Sequence, residues 1–263
     1  MPRHLRLDAE LVRRGLATSR AEAKLAIEEG IVSVNGAVAT RPTTMVGAEA
    51  SVQVARDVRR FVSRGGDKLD GALDRLGVEV GGRRWLDAGA STGGFTDCLL
   101  KRGAAAVVAV DVGYGQLDWG LRNDDRVTVM ERVNVRTLSP QAMPWISDAA
   151  VADLSFISLR TVLPALVSVC AEEGDFVLMV KPQFEVGRDA LGKGGVVRDP
   201  ELWASAMRGV VETAEALGLG LVGTTASEVP GPAGNREFFL WLRTGVSPAE
   251  EAIERAVAEA SGG

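Results

Sequence analysis

Four charged residues in this 263-residue chain stand at the ends of apolar runs, where a folded sheet would gather them at one edge: Lys68, Asp153, Lys181 and Glu237. Asp153 closes the run 149–153 before Leu-Ser-Phe, Lys181 closes 176–181 before Pro-Gln-Phe, and Glu237 stands just before 238–242. Lys68 opens a helical run ahead of the first strand. Two lysines with two carboxylates suit work on a hydroxyl group. An alcohol does not give up its proton unaided at neutral pH, and a lysine among carboxylates and a second cation can have its proton affinity tuned to take it. The same ammonium can steady an alkoxide as it develops. The set suits nucleophilic thiol or metal chemistry badly.

The run Arg84-Trp-Leu-Asp-Ala-Gly-Ala-Ser-Thr-Gly-Gly-Phe-Thr-Asp reads as a strand that enters a helix through a glycine-rich turn. Gly89, Gly93 and Gly94 let backbone approach a ligand with no Cβ in the way. A dinucleotide site would space its glycines G-x-G-x-x-G and set pyrophosphate on the helix N-terminus. Here Ser91 takes the place of the second glycine, and Asp87 directly precedes the turn. A carboxylate there suits a ligand with an ammonium, as S-adenosylmethionine has, and suits pyrophosphate poorly. Asp111 ends the next strand, 24 residues beyond Asp87, where it can accept hydrogen bonds from both ribose hydroxyls of an adenosine. Together these features predict an adenosine-type cofactor. Tight helix–sheet packing is the other use such glycines serve.

The elements that must hold these residues alternate from about Lys68 onward, strand with helix, as in a parallel sheet covered on both faces. Strands are predicted over 85–88, 106–111, 127–132, 149–153, 176–181, 221–227 and 238–242, and helices over 68–76, 95–102, 158–170, 200–217 and 249–260. The last two strands lie about ten residues apart, so the final one should insert antiparallel. Seven strands with a late antiparallel member predict an α/β, Rossmann-like class I S-adenosylmethionine methyltransferase rather than a six-stranded dinucleotide domain. The first block differs. Leu7, Leu11 and Val12 recur at helical spacing up to Gly15, and Thr18-Ser caps a second helix that carries Ala23, Ala26 and Ile27. Ile31-Val-Ser-Val-Asn-Gly-Ala-Val then alternates as a strand and turns at Asn35-Gly36, with another short strand over 50–54. The expected division is a small α+β domain over 1–60, a linker over 61–64 and the methyltransferase domain over 65–263.

Composition excludes several classes. With 46% hydrophobic and 25% charged residues the chain can bury a sizeable core. No run approaches the eighteen or so apolar residues of a membrane span. The N-terminus also lacks the apolar stretch of a signal peptide, so a cytoplasmic protein is expected. Cys98 and Cys170 sit in apolar, helix-like stretches and are expected as buried free thiols. With one histidine, His4, a zinc site is not expected. The net charge of −5 divides unevenly, +4 over residues 1–64 and −9 over the rest, so a polyanion should meet the first block.

Several longer runs are distinctive: Asp8-Ala-Glu-Leu-Val-Arg-Arg-Gly-Leu-Ala, Val62-Ser-Arg-Gly, Leu86-Asp-Ala-Gly-Ala-Ser-Thr-Gly-Gly-Phe-Thr, Asp111-Val-Gly-Tyr-Gly-Gln-Leu, Ala152-Asp-Leu-Ser-Phe-Ile-Ser-Leu, Val180-Lys-Pro-Gln-Phe-Glu-Val-Gly and Pro230-Gly-Pro-Ala-Gly-Asn-Arg-Glu. In these, over nearly its whole length, the chain resembles the TlyA family, ribosomal RNA (cytidine-2′-O)-methyltransferases also named haemolysins, in which an S4-type domain precedes an FtsJ-like domain. The resemblance implies that Lys68, Asp153, Lys181 and Glu237 match the family's Lys-Asp-Lys-Glu tetrad. It implies S-adenosylmethionine on Asp87, Gly89, Ser91, Thr92, Gly93, Gly94, Phe95, Asp111 and Asp153, with Asn134 near the adenine. The implied substrate is a cytidine ribose in 16S or 23S RNA, or both, within the 30S and 50S subunits. Phe61 falls in the linker, where family members often carry tryptophan. A monomer with no membrane and no metal partner is expected.

The likeness of the first block to an S4 domain makes Arg3, Arg6, Arg13, Arg14, Arg20 and Lys24 the candidates for phosphate contact, which positions an enzyme without reading bases. Aromatic residues are 5% of the chain and nearly absent from this block, so base stacking there is not expected. The rival readings are a haemolysin or other membrane-active protein, a catalytically silent ribosome-assembly factor, and a nicotinamide oxidoreductase. The absent span and signal oppose the first, the complete set of acids and lysines the second, and Ser91 the third.

Overall fold

Asn35 and Gly36 both take positive φ, +50° and +83°, the backbone that a two-residue hairpin turn demands. The hairpin belongs to the first of two units, Met1–Arg59 and Arg60–Gly263, into which the chain divides. The structure, a computed structural model, describes residues 4–17, 19–28, 30–55, 60–187, 190–192, 194–231, 234–246 and 250–262. In the first unit α1 (Leu7–Arg13) and α2 (Arg20–Glu28) lie against a sheet of β2 (Val32–Val34), β3 (Ala37–Val38) and β5 (Val52–Val54), with β2 central. Leu7, Leu11, Ala23, Ile27, Val32 and Val46 form its core. Thr18, expected to cap α2, lies outside the described residues; Ser19 Oγ accepts the Glu22 amide at 3.1 Å. A second ladder, β1 (Leu5–Arg6) with β4 (Met45–Val46), was not expected: two residues are too short to show alternation.

In the second unit strict alternation sends each strand's side chains to two separate cores. Leu86, Val108, Val110, Phe176, Leu178, Phe238 and Leu240 face one; Trp85, Val107, Ala109, Val177, Met179 and Phe239 face the other. The seven strands run in the order β11 (Leu219–Ala226), β12 (Phe238–Thr244), β10 (Cys170–Val180), β9 (Ser147–Ala152), β6 (Arg84–Ala88), β7 (Ala106–Asp111), β8 (Val127–Glu131). β12 is antiparallel to both β10 and β11, and the other pairings are parallel. α3 (Arg64–Leu76) and α4 (Gly94–Lys101) contribute to one core; α6 (Leu159–Ser168), α8 (Pro200–Glu215) and α9 (Glu250–Ser261) contribute to the other. Two short helices, α5 (Trp119–Arg122) and α7 (Pro182–Glu185), follow β7 and β10.

Three expectations differ in detail. α3 begins a turn before Lys68 because Ser63 Oγ accepts the Gly65 amide at 3.3 Å and caps it. The helix expected over 158–170 stops at Ser168, and Cys170 instead opens β10, where it pairs with Ser147. Residues 61–64, expected as a linker, fold with the second unit: Phe61 is 2% exposed and packs in the core of α3 and α4.

Candidate active site

The parallel strands end along one edge, where β7 closes at Asp111 and the loops after β9 and β10 begin with Asp153 and Lys181. The glycine turn after β6 takes positive φ at Gly89 (+88°), Ser91 (+49°) and Gly93 (+97°), so the chain reverses sharply into α4. At Gly89 a Cβ would meet the Asp153 carbonyl oxygen at 2.6 Å, and at Gly94 it would meet Ser63 Oγ at 2.2 Å. Neighbouring protein leaves no room for a Cβ at either position, and Gly89 adds the positive φ that the turn requires.

Asp111 holds that turn. Its Oδ2 accepts the Ser91 amide at 2.8 Å and its Oδ1 the Gly113 amide at 2.6 Å. Asp87, with no exposed surface, lies under the turn; its Oδ2 accepts from Thr96 Oγ1 at 2.6 Å, and its Oδ1 has no hydrogen-bond partner among the described residues. Burial pushes the Asp87 carboxyl up to about 7, and the charges of Asp153 and Asp111 add to the rise against the Thr96 hydrogen bond.

Next to the turn opens a cavity of about 350 Å³. Its walls include five of the residues predicted for the cofactor, Gly89, Ser91, Asp111, Asn134 and Asp153. Asp87, Thr92, Gly93, Gly94 and Phe95 are not on them. Phe95 is 3% exposed and packs near Phe239 in the core, ring centroids 6.0 Å apart. Asn134 spends its side-chain oxygen on the Arg136 amide at 3.0 Å. Residues that the sequence reading missed complete the wall, among them Val112, Gln116, Leu154, Phe156 and Ile157. All five fall in the distinctive runs 111–117 and 152–159, which marked them without a role; Phe156 is 92% exposed at φ +65°.

The four charged residues form two pairs. Lys68 Nζ donates to Glu237 Oε2 at 2.6 Å, both residues buried. Lys181 Nζ stands 2.5 Å from Asp153 Oδ1 and donates to Ser155 Oγ at 3.1 Å. Burial disfavours the Lys181 charge, but the carboxylates of Asp153 and Glu237 outweigh it and raise its proton affinity above that of an ordinary lysine. Asp153 is the shared member, part of the cavity wall and paired with Lys181. Among the described residues no cluster of three or more His, Cys, Asp or Glu could hold a metal ion, and no helix is long and apolar enough to cross a membrane.

In the first unit the candidate cations are organised on two buried acids. Arg6 and Arg20 pair with Asp8, at 3.0 and 2.7 Å, and Arg13 and Arg14 with Glu10, each at 2.6 Å. The Arg13 hydrogen bond leads in holding the Glu10 carboxyl down to about 2. Arg14 is also tied to the carbonyls of Ala48 and Ala50, at 3.0 and 2.7 Å, and is 20% exposed. Its guanidinium serves the fold. Arg6, Arg13, Arg20 and Lys24 remain between 46% and 61% exposed. Arg3 lies outside the described residues.

A seven-stranded sheet of this order, with its glycine turn and acidic strand ends, defines a class I methyltransferase fold. FtsJ-like methyltransferases match residues 61–244, and the S4 domain matches residues 5–52. The chain is 54% identical over 266 residues to the 16S/23S rRNA (cytidine-2′-O)-methyltransferase TlyA of Mycobacterium tuberculosis, covering 98% of this chain and 99% of that protein. It is 36% identical to hemolysin A of Brachyspira hyodysenteriae, over 89% of this chain and 98% of that one. Among solved structures, a hemolysin-named protein of Streptococcus thermophilus is 38% identical and superposes with a TM-score of 0.77, covering 99% and 96% of the two chains. The chain belongs to the TlyA family of S4-bearing, FtsJ-like methyltransferases.

Proposed function

We propose that this protein transfers a methyl group from S-adenosylmethionine to the ribose 2′-hydroxyl of a cytidine in ribosomal RNA, in the 30S subunit, the 50S subunit or both, in the cytoplasm. The observation that carries this reading is the double position of Asp153, on the cavity wall and in an ion pair with Lys181. That arrangement sets a cofactor-sized cavity beside a buried ammonium.

The cavity residues fit the cofactor. Asp111, Asn134 and Asp153 offer polar groups on its wall, and the unpartnered Oδ1 of Asp87 lies beneath the adjoining turn. A bound S-adenosylmethionine would supply the electrophilic methyl group. The chain's own residues then handle the hydroxyl. Lys181, held as an ammonium by Asp153 and Glu237, stands ready to stabilise negative charge on the attacking oxygen, an electrostatic role rather than that of a neutral base. With the cofactor bound, the oxygen–methyl bond would form as its sulfur–methyl bond breaks. The hydroxyl proton passes to a carboxylate of the cluster, Asp153 being the one that touches Lys181. The Lys68–Glu237 pair keeps a second carboxylate buried behind it. The S4 unit supplies phosphate affinity through Arg6, Arg13, Arg20 and Lys24.

Transfer of labelled methyl groups from S-adenosylmethionine to purified 30S and 50S subunits of an unmodified strain tests the reading. Label in RNA identifies the reaction and the subunit. No label on either, with cofactor still bound, favours a silent assembly factor. Hemolysin names among the relatives motivate one further control, red-cell lysis by the purified protein; lysis without transfer would replace the proposed reading.

A further inference from the structure

The loops after β9 and β10 each contribute one member of the Asp153–Lys181 pair, and a buried carboxylate outside that pair ties the two loops together. Glu185 ends α7, four residues after Lys181, and is 8% exposed. Both of its oxygens reach across to the other loop: Oε2 accepts from Ser158 Oγ at 2.6 Å, and Oε1 accepts the Leu159 amide at 2.7 Å. Leu159 is the first residue of α6, so Glu185 supplies an acceptor to one of the amides that a helix start leaves unmatched. Arg160 closes the brace from outside. Its Nη2 donates to the Glu185 carbonyl at 3.0 Å, and its Nε lies 3.5 Å from Oε2. At the rim the Phe156 and Phe184 rings meet across the same two loops, centroids 5.3 Å apart.

We infer that Glu185 is a positioning residue for the reaction proposed above: by fixing the Asp153 loop to the Lys181 loop it holds the ion pair and the adjoining cavity wall in register. Three facts point past mere stability. The braced segment runs from Asp153 through Ser158 and includes the cavity residues Leu154, Ser155, Phe156 and Ile157. Ser155, inside it, is itself a hydrogen-bond partner of Lys181. Phe156 is held at positive φ, a conformation that a free loop would relax. Loss of the brace frees this segment while Asp153 and Lys181 remain present. Displacement of a reacting group by about 1 Å can cost on the order of a hundred-fold in rate.

The inference rests on the methyltransferase reading, and the test separates the two. Full-length wild type, Glu185→Ala, Glu185→Gln and Ser158→Ala are compared for thermal unfolding, S-adenosylmethionine affinity by calorimetry, and steady-state methyl transfer to ribosomal subunits well below the unfolding temperature. Glu185→Ala is expected to lower kcat at least about ten-fold with KM for RNA within about two-fold. Glu185→Gln keeps the Leu159 bond and can donate to the Ser158 hydroxyl, so its kcat stays within about three-fold of wild type. If Glu185→Ala does not fold, Ser158→Ala, which removes the hydroxyl's bond to Glu185 together with the acceptor for the Arg160 amide and Nε, carries the test with an expected loss of about three-fold in kcat. Wild-type kcat in a folded Glu185→Ala, or in Ser158→Ala when that variant carries the test, makes the brace merely structural and overturns the inference. So does a loss confined to KM. An inactive wild type overturns the methyltransferase reading, and the inference falls with it.

Discussion

Lys68 and Glu237 lie 169 positions apart in the sequence and meet through a 2.6 Å hydrogen bond with almost no exposed surface. The contact ties α3 to the start of β12. Glu237 Oε1 has no hydrogen-bond partner among the described residues, and Gly231 is so close that a Cβ there would meet it at 2.3 Å. A buried charge in this setting depends on its counter-ion.

Removing one member should therefore cost more than removing both. Lys68→Met is expected to lower the unfolding free energy by about 3 kcal/mol, with the double variant Lys68→Met/Glu237→Leu recovering a large part of it. Urea denaturation of wild type, Lys68→Met, Glu237→Leu and the double variant gives the cycle. A double variant no more stable than Lys68→Met would mean that the pair is not coupled.

Lys181→Ala should reduce methyl transfer by about a hundred-fold or more while cofactor affinity stays within a few-fold, because Lys181 lies off the cavity wall. Single-turnover transfer and calorimetry read the two quantities. Equal loss of both would remove its assigned role.

Asp87 gives the protein a pH dependence of unusual sign. Its carboxyl, pushed up by burial to about 7 from the ordinary 3.8, takes up a proton on folding at pH values between these. The stability it contributes is fully present below about pH 4 and is lost as pH rises through about 7. Asp87→Asn keeps an acceptor for Thr96 and removes the ionisation. The variant should gain stability over wild type at pH 8 relative to pH 5, measured by urea unfolding at both. Parallel curves at the two values would contradict the shift.

Arg14, at the end of α1, and Arg20, at the start of α2, should behave differently. Arg14→Ala is expected to destabilise the first unit, since it strips Glu10 of a partner and frees the carbonyls of Ala48 and Ala50. Arg20→Ala should instead weaken RNA binding and lower the slope of log affinity against log salt by about one. Filter binding across a salt series and thermal melts distinguish the two effects. An unchanged slope in Arg20→Ala would withdraw it from the RNA contacts.

Reactive groups at strand ends, the glycine turn and the late antiparallel strand were readable in the linear order, because side-chain alternation and turn chemistry are local. The Asn35-Gly36 turn and the strands around Asp87, Asp111 and Asp153 follow from those local signals alone. Long-range contacts decided the rest. Cys170 lies in a strand because Ser147 is its neighbour in the sheet, against the helical reading of its own stretch. Phe61 is core because α3 and α4 close over it. Gly93 and Gly94 face protein, and Arg14 turns inward to three carbonyl-bearing residues of its own unit. Which carboxylate pairs with which lysine, and that Glu185 bonds across from the loop after β10 to the loop after β9, depends on groups brought within hydrogen-bonding distance across many intervening residues. Periodicity carries no record of such distances; packing in three dimensions sets them.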